Sequence, residues 1–91
     1  MKIVCVCGMG LGSSLIAKMN VETIMNQHGI DAVVENCDLG SVTSVSADWY
    51  VTTRELADNM PIEFKEKTIV LTDFISLSAI EETLLVYMKE S

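Results

Sequence analysis

Cys7 is followed by three glycines at alternate positions, Gly8, Gly10 and Gly12, and then by the pair Ser13-Ser14. Glycines so spaced let a backbone turn tightly and aim its N–H groups at one point. A helix that opens at the serines adds its positive N-terminal end to the same point. The chemistry on offer is anion binding beside a thiol. Free cysteine has a pKa of about 8.5, and amide donors or a helix N-terminus lower it. A thiolate so placed can attack phosphorus while the loop amides hold the equatorial oxygens, the main electrostatic task of phosphoryl transfer. Cys7 is therefore the candidate catalytic residue. Gly8, Met9, Gly10, Leu11, Gly12, Ser13 and Ser14 are the candidate phosphate-binding residues.

Other residues compete less well for a chemical role. Cys5 sits inside an apolar run and reads as a small buried hydrophobe. Cys37 ends a second strand near the same edge and reads as structural. His28 is the single histidine, but helical rise sets it about 20 Å from the loop. It suits a helix C-terminus, where the dipole favours it. Asp73 and Arg54 follow strands and could reach the site, or could be a solvated loop carboxylate and a surface ion-pair partner. Met9 and Leu11 are apolar residues in an anion loop, and either tuck beneath it or meet a partner. The glycine spacing differs from the dinucleotide fingerprint, and no Gly-Lys-Ser/Thr nucleotide loop is present. The cysteine and histidine spacing does not match a closed zinc site. Neither a cofactor nor a metal is expected.

The elements that must position Cys7 follow from periodicity. Residues 2–7 are predicted to form the first strand, in which Ile3, Val4, Cys5 and Val6 are apolar without alternation, as in a strand covered on both faces. A helix over 13–27 places Ala17, Val21, Ile24, Met25 and His28 on one face, and Gly29 ends it. Strands are predicted over 31–36, 49–53 and 68–72. Residues 38–47 read as a polar loop with one helical turn, and 54–59 as a short helix stopped by Pro61. Ser78 and Glu81 fit a capping box that opens a last helix with Ile80, Leu84, Tyr87 and Met88 on one face. Strands alternating with helices imply an α/β three-layer sandwich on a parallel sheet. The ligand edge is then the carboxyl end of the strands, where Cys7 stands.

The chain of 91 residues reads as a single domain over 1–91, and at 49% hydrophobic it is too apolar for a disordered chain. Its net charge of −7 argues against nucleic acid and suits a basic protein surface. No apolar stretch is long enough to insert into a membrane, and no secretion signal opens the sequence. Three cysteines without secreted features do not suggest a disulfide scaffold. The expected location is cytoplasmic.

Two families share these residues. Cys7, five residues and Ser13-Ser14 resemble the phosphate loop of low-molecular-weight tyrosine phosphatases, with serine in place of their arginine. Loss of that bidentate cation weakens a hydrolytic transition state. The run Cys7-Gly-x-Gly-x-Gly-Ser-Ser between strand and helix more closely resembles the IIB component of the bacterial sugar phosphotransferase system (PTS). The text Ser13-Ser-x-Ile16-x-Lys18-Met19-x-Val21 and Asn36-Cys37-x-x-Gly40 is most similar to the ascorbate-specific members of the ascorbate and galactitol branch. The resemblance implies a Rossmann-like, four-stranded parallel sheet of order 2-1-3-4. It implies that Cys7 takes phosphate from a phosphohistidine on IIA and passes it to an ascorbate-like or galactitol-like sugar at the membrane component IIC. Met9 and Leu11 depart from the polar residues some members carry there. A small cysteine phosphatase and a regulatory IIB-like sensor domain remain the alternatives.

Overall fold

In the computed structural model the four strands form one parallel sheet of order β2-β1-β3-β4. The structure describes residues 1–7, 11–71 and 76–89, apart from the side chains of 11–14 and 89. Strand β1 (Lys2–Cys7) lies between β2 (Val33–Asp38) and β3 (Trp49–Thr53), with β4 (Thr68–Leu71) outside β3. The α/β class and the 2-1-3-4 order match the sequence expectation.

Alternation along β1 divides the core in two. Ile3 and Cys5 face one side, where they meet α1 (Leu11–Gln27) through Ala17, Val21, Ile24 and Met25, and α3 (Leu77–Lys89) through Ile80 and Leu84. Each fully buried Val, Ile, Leu or Met in this layer contributes about 1.5–3 kcal/mol. Val4 and Val6 face the other side, where they meet Val42, Ala47, Tyr50 and Met60. That second face is covered by two 3₁₀ helices, Leu39–Ser44 and Ile62–Lys67, and by the single turn of α2 (Arg54–Ala57). Tyr50 is stacked on Phe64 with centroids 4.7 Å apart, and its hydroxyl donates to the Val45 carbonyl at 2.7 Å. The layers follow from crossover handedness. The connection from β1 to β2 runs over one face, and the sheet order then reverses, so the connections to β3 and β4 use the other.

Several boundaries differ from the sequence reading. Helix α1 starts two residues before Ser13, at Leu11, so the serine pair lies inside its first turn. Strand β2 covers Val33–Asp38 rather than 31–36, because Val33 N–H pairs with the Met1 carbonyl at 2.8 Å and the register with β1 continues to Cys7↔Asp38. Helix α2 ends at Ala57, before the expected 59. The second 3₁₀ helix was not expected. Ser76, not Ser78, caps α3: its hydroxyl accepts from Ala79 N–H at 3.4 Å. Glu81 is instead 3.0 Å from His28 Nε2, a contact that joins the end of α1 to α3. His28 accordingly lies outside the buried face of α1 and is exposed.

Gly29 ends α1 with φ of +66°. Its N–H donates to Asn26 O at 3.2 Å, and Ile30 N–H reaches back to Met25 O at 2.9 Å. This is a Schellman closure, and Ile30 packs on the same core as Met25. A Cβ at Gly29 meets nothing within 4 Å, so its cost is backbone strain alone. Gly29→Ala is expected to destabilise the fold by about 1 kcal/mol, seen as a lower urea midpoint with unchanged slope. A second device ties β3 to the end of β1: the fully buried Thr52 hydroxyl donates to Val6 O at 3.2 Å. Thr52→Val keeps the shape and removes the donor, and should cost about 1–3 kcal/mol in the same denaturation assay.

Candidate functional site

In a parallel sheet of this order the ligand crevice lies at the carboxyl edge between strands whose connections leave in opposite directions. Here those strands are β1 and β3. Cys7 ends β1, and Thr53 ends β3. The register pairs Cys5 with Val51, and the Thr52 hydroxyl bonds Val6 O, so the ends of β3 and β1 lie on neighbouring strands at this edge. On the other flank Cys7 pairs with Asp38.

Strand alternation gives Cys7 the same face as Ile3 and Cys5, the face on which α1 packs. Cys7 is 4% exposed yet belongs to neither core cluster. Its neighbours Cys5 and Cys37 differ from it in setting. Cys5 is fully buried, and desolvation pushes its thiol up to about 12, with Cys37 adding a smaller push. Cys37 is also raised, first by burial and then by Asp38, Cys7 and Glu35. Cys37 pairs with Val6 and packs with it on the 3₁₀ side, so Cys7 and Cys37 stand on opposite faces of the sheet. All three cysteines are reduced. The structural reading of Cys5 and Cys37 agrees with these settings.

Helix α1 begins just after this edge. Its first turn is 11–14, and the N–H groups of a helix's first turn have no partner within the helix. Seventeen residues of aligned peptide dipoles end there. Gly8, Met9 and Gly10 lie outside the described residues, as do the side chains of Leu11, Ser13 and Ser14. Asp73 lies outside them too.

Two charged residues flank the edge. The Asp38 carboxylate accepts from Ser41 N–H at 3.1 Å and caps the first 3₁₀ helix. That bond fastens a negative charge to its own helix end. Arg54 follows Thr53 and is exposed. With Thr53, Glu55 and Asp58 it lines an open cleft of about 470 Å³. Among the described residues it makes no ion pair. Of the two readings the sequence left open for Arg54, the surface ion pair is not found among the described residues. Among the described residues no group of side chains forms a metal site, and no helix is long and apolar enough to cross a membrane.

Comparison with known proteins separates two groups that share this fold. The lactose-specific IIB domain of the phosphotransferase system from Streptococcus pneumoniae superposes with a TM-score of 0.70 at 14% identity, covering 98% of this chain and 95% of that one. A protein tyrosine phosphatase from Entamoeba histolytica gives 0.69 at 14% identity, covering 99% and 97%. At such identity both show the fold alone. Sequence decides between them. An ascorbate-specific PTS system EIIB component from Escherichia coli O157:H7 is 30% identical over 91 residues, 98% of this chain and 90% of the relative. The family model for the PTS system lactose/cellobiose specific IIB subunit matches residues 2–85. The chain belongs to the IIB family of the sugar phosphotransferase system.

Proposed function

We propose that this chain is a phosphocarrier that takes a phosphoryl group onto Cys7 from a phosphohistidine of a IIA protein and gives it to a sugar presented by a IIC membrane component. The observation that carries the reading is a cysteine at the β1 terminus, in the crevice between β1 and β3 and before the N-terminus of α1, in a chain of the IIB family. The work takes place on the cytoplasmic side, and the acceptor is of the ascorbate class, after the name of the similar relatives.

The chemistry needs few parts. The Cys7 thiol gives up its proton, and its sulfur attacks phosphorus in line with the P–N bond of the donor. The S–P bond forms as the P–N bond breaks, and the imidazole nitrogen keeps the electron pair and takes a proton. Amides of 8–14 hold the three equatorial oxygens, with the hydroxyls of Ser13 and Ser14 beside them. In the second step a sugar hydroxyl oxygen attacks phosphorus and gives up its proton, the O–P bond forms as the S–P bond breaks, and the departing sulfur keeps the electron pair and takes up a proton to restore the thiol. No metal or cofactor enters either step.

Incubation with phosphorylated IIA should add one phosphoryl mass to the intact chain, and peptide mapping should place it on Cys7. Cys7→Ala should abolish it; alanine is the better control because a serine hydroxyl can itself accept a phosphoryl group. A mark that survives this change would overturn the assignment. Cys5 should stay unmarked, because it is fully buried and desolvation pushes its thiol up to about 12. Steady turnover of para-nitrophenyl phosphate without any partner would favour a phosphatase instead.

A further inference from the structure

We infer that Arg54 supplies, from strand β3, the phosphoryl-binding cation that the loop after β1 lacks. The inference rests on the assignment of Cys7 as the phosphoryl acceptor. Its ground is position. Strand β3 pairs with β1 through Cys5↔Val51, the Thr52 hydroxyl reaches Val6 O beyond that pair, and Arg54 is the first residue after the strand. At that point the chain leaves the sheet, so Arg54 stands at the carboxyl edge where the β1–β3 crevice opens.

Among the described residues the guanidinium has no ion-pair partner. Glu55 and Asp58 line the same cleft, yet Arg54 pairs with neither, and among the described residues it pairs with no other carboxylate. Thr53 is half-buried at the N-cap of α2, and its hydroxyl makes no capping bond there. A cation and a hydroxyl thus share the flank of Cys7 opposite Asp38. Of the six cations in the chain, Lys18 is held by Glu22 at 3.7 Å and Lys2 by Glu35 at 3.4 Å. A phosphoryl group brings close to two negative charges to a chain already at −7, so a nearby unpaired cation has a large effect on its retention. A planar fork that donates two N–H groups suits adjacent phosphoryl oxygens.

The test uses the full chain and two probes, inorganic phosphate and phosphorylated IIA. Amide shifts in an NMR titration report phosphate binding to the unmodified protein, and a quench assay reports the fraction of phosphocysteine at equilibrium. Arg54→Gln should weaken phosphate binding by about tenfold to a hundredfold and lower the phosphocysteine fraction, with an unchanged urea midpoint. Arg54→Lys should recover part of both. Equal phosphate affinity in wild type and Arg54→Gln overturns the inference. So does a raised KM for the donor with phosphate affinity unchanged, which assigns Arg54 to partner docking. Failure of the wild type to accept a phosphoryl group on Cys7 is a different result, and overturns the carrier assignment itself.

Discussion

Burial of β1 on both faces fixes where the Cys7 sulfur comes to rest. Ile3, Val4, Cys5 and Val6 are all fully buried, alternately against α1 and against the 3₁₀ layer. A slip of one residue would exchange these two sets of side chains, so the register is strongly determined. Both ends are also fastened. At the start, Lys2 N–H donates to the Asp48 carboxylate at 2.8 Å and Asp48 N–H returns to Lys2 O at 2.9 Å. At the end, the Thr52 hydroxyl holds Val6 O. The loop that follows Cys7 therefore springs from a rigid support, which is what accurate placement of a nucleophile requires.

The same sheet sorts three chemically identical side chains into different roles. Cys5 is sealed in the core, where desolvation keeps its proton on. Cys37 sits half-buried on β2, its thiol raised by burial and by the Asp38 carboxylate. Cys7 alone stands at the strand terminus that faces the start of α1. Because Cys7 and Cys37 occupy opposite faces, they cannot form a disulfide without backbone movement. Neighbouring thiols thus coexist with no internal bond to compete for the one at the crevice.

Much of this was legible in the sequence, for identifiable reasons. The unbroken apolar run of β1 and the β-branched, aromatic run of β3 announce buried strands, and both boundaries agree with the structure. Gly29 announced the end of α1 because only a residue tolerant of positive φ closes a helix in this way. Edges were harder. Strand β2 buries only Val34 fully, so its pattern is set by pairing with β1 rather than by apolar periodicity. The start of α3 offered two serines, and Ser76 was passed over because Ser78 had a glutamate at the capping-box spacing. That glutamate answers to His28, 53 residues away in sequence, a contact that local reading cannot see. Cys7 and its glycines suggested chemistry by their spacing alone, whereas the standing of Arg54 depended on which carboxylates would claim it.

A carrier and a hydrolase can share this sheet because they differ in what they stabilise, not in where the nucleophile sits. The near-equal TM-scores to a IIB domain and a tyrosine phosphatase show that the fold is common to both. A hydrolase gains from contacts that strengthen as water attacks the phosphocysteine, since only differential binding of that transition state speeds the reaction. A carrier must hold the phosphoryl group without helping water. Ser13 stands where a phosphatase loop has its arginine, and a neutral hydroxyl gives up the bidentate clamp on the in-line transition state. A cation offered from β3 instead approaches from the side of the neighbouring strand, across the crevice from the helix end. Charge can then favour arrival and retention of the phosphoryl group while the loop stays poor at activating its hydrolysis. The position of a cation around one sulfur, rather than its presence, is what separates the two outcomes.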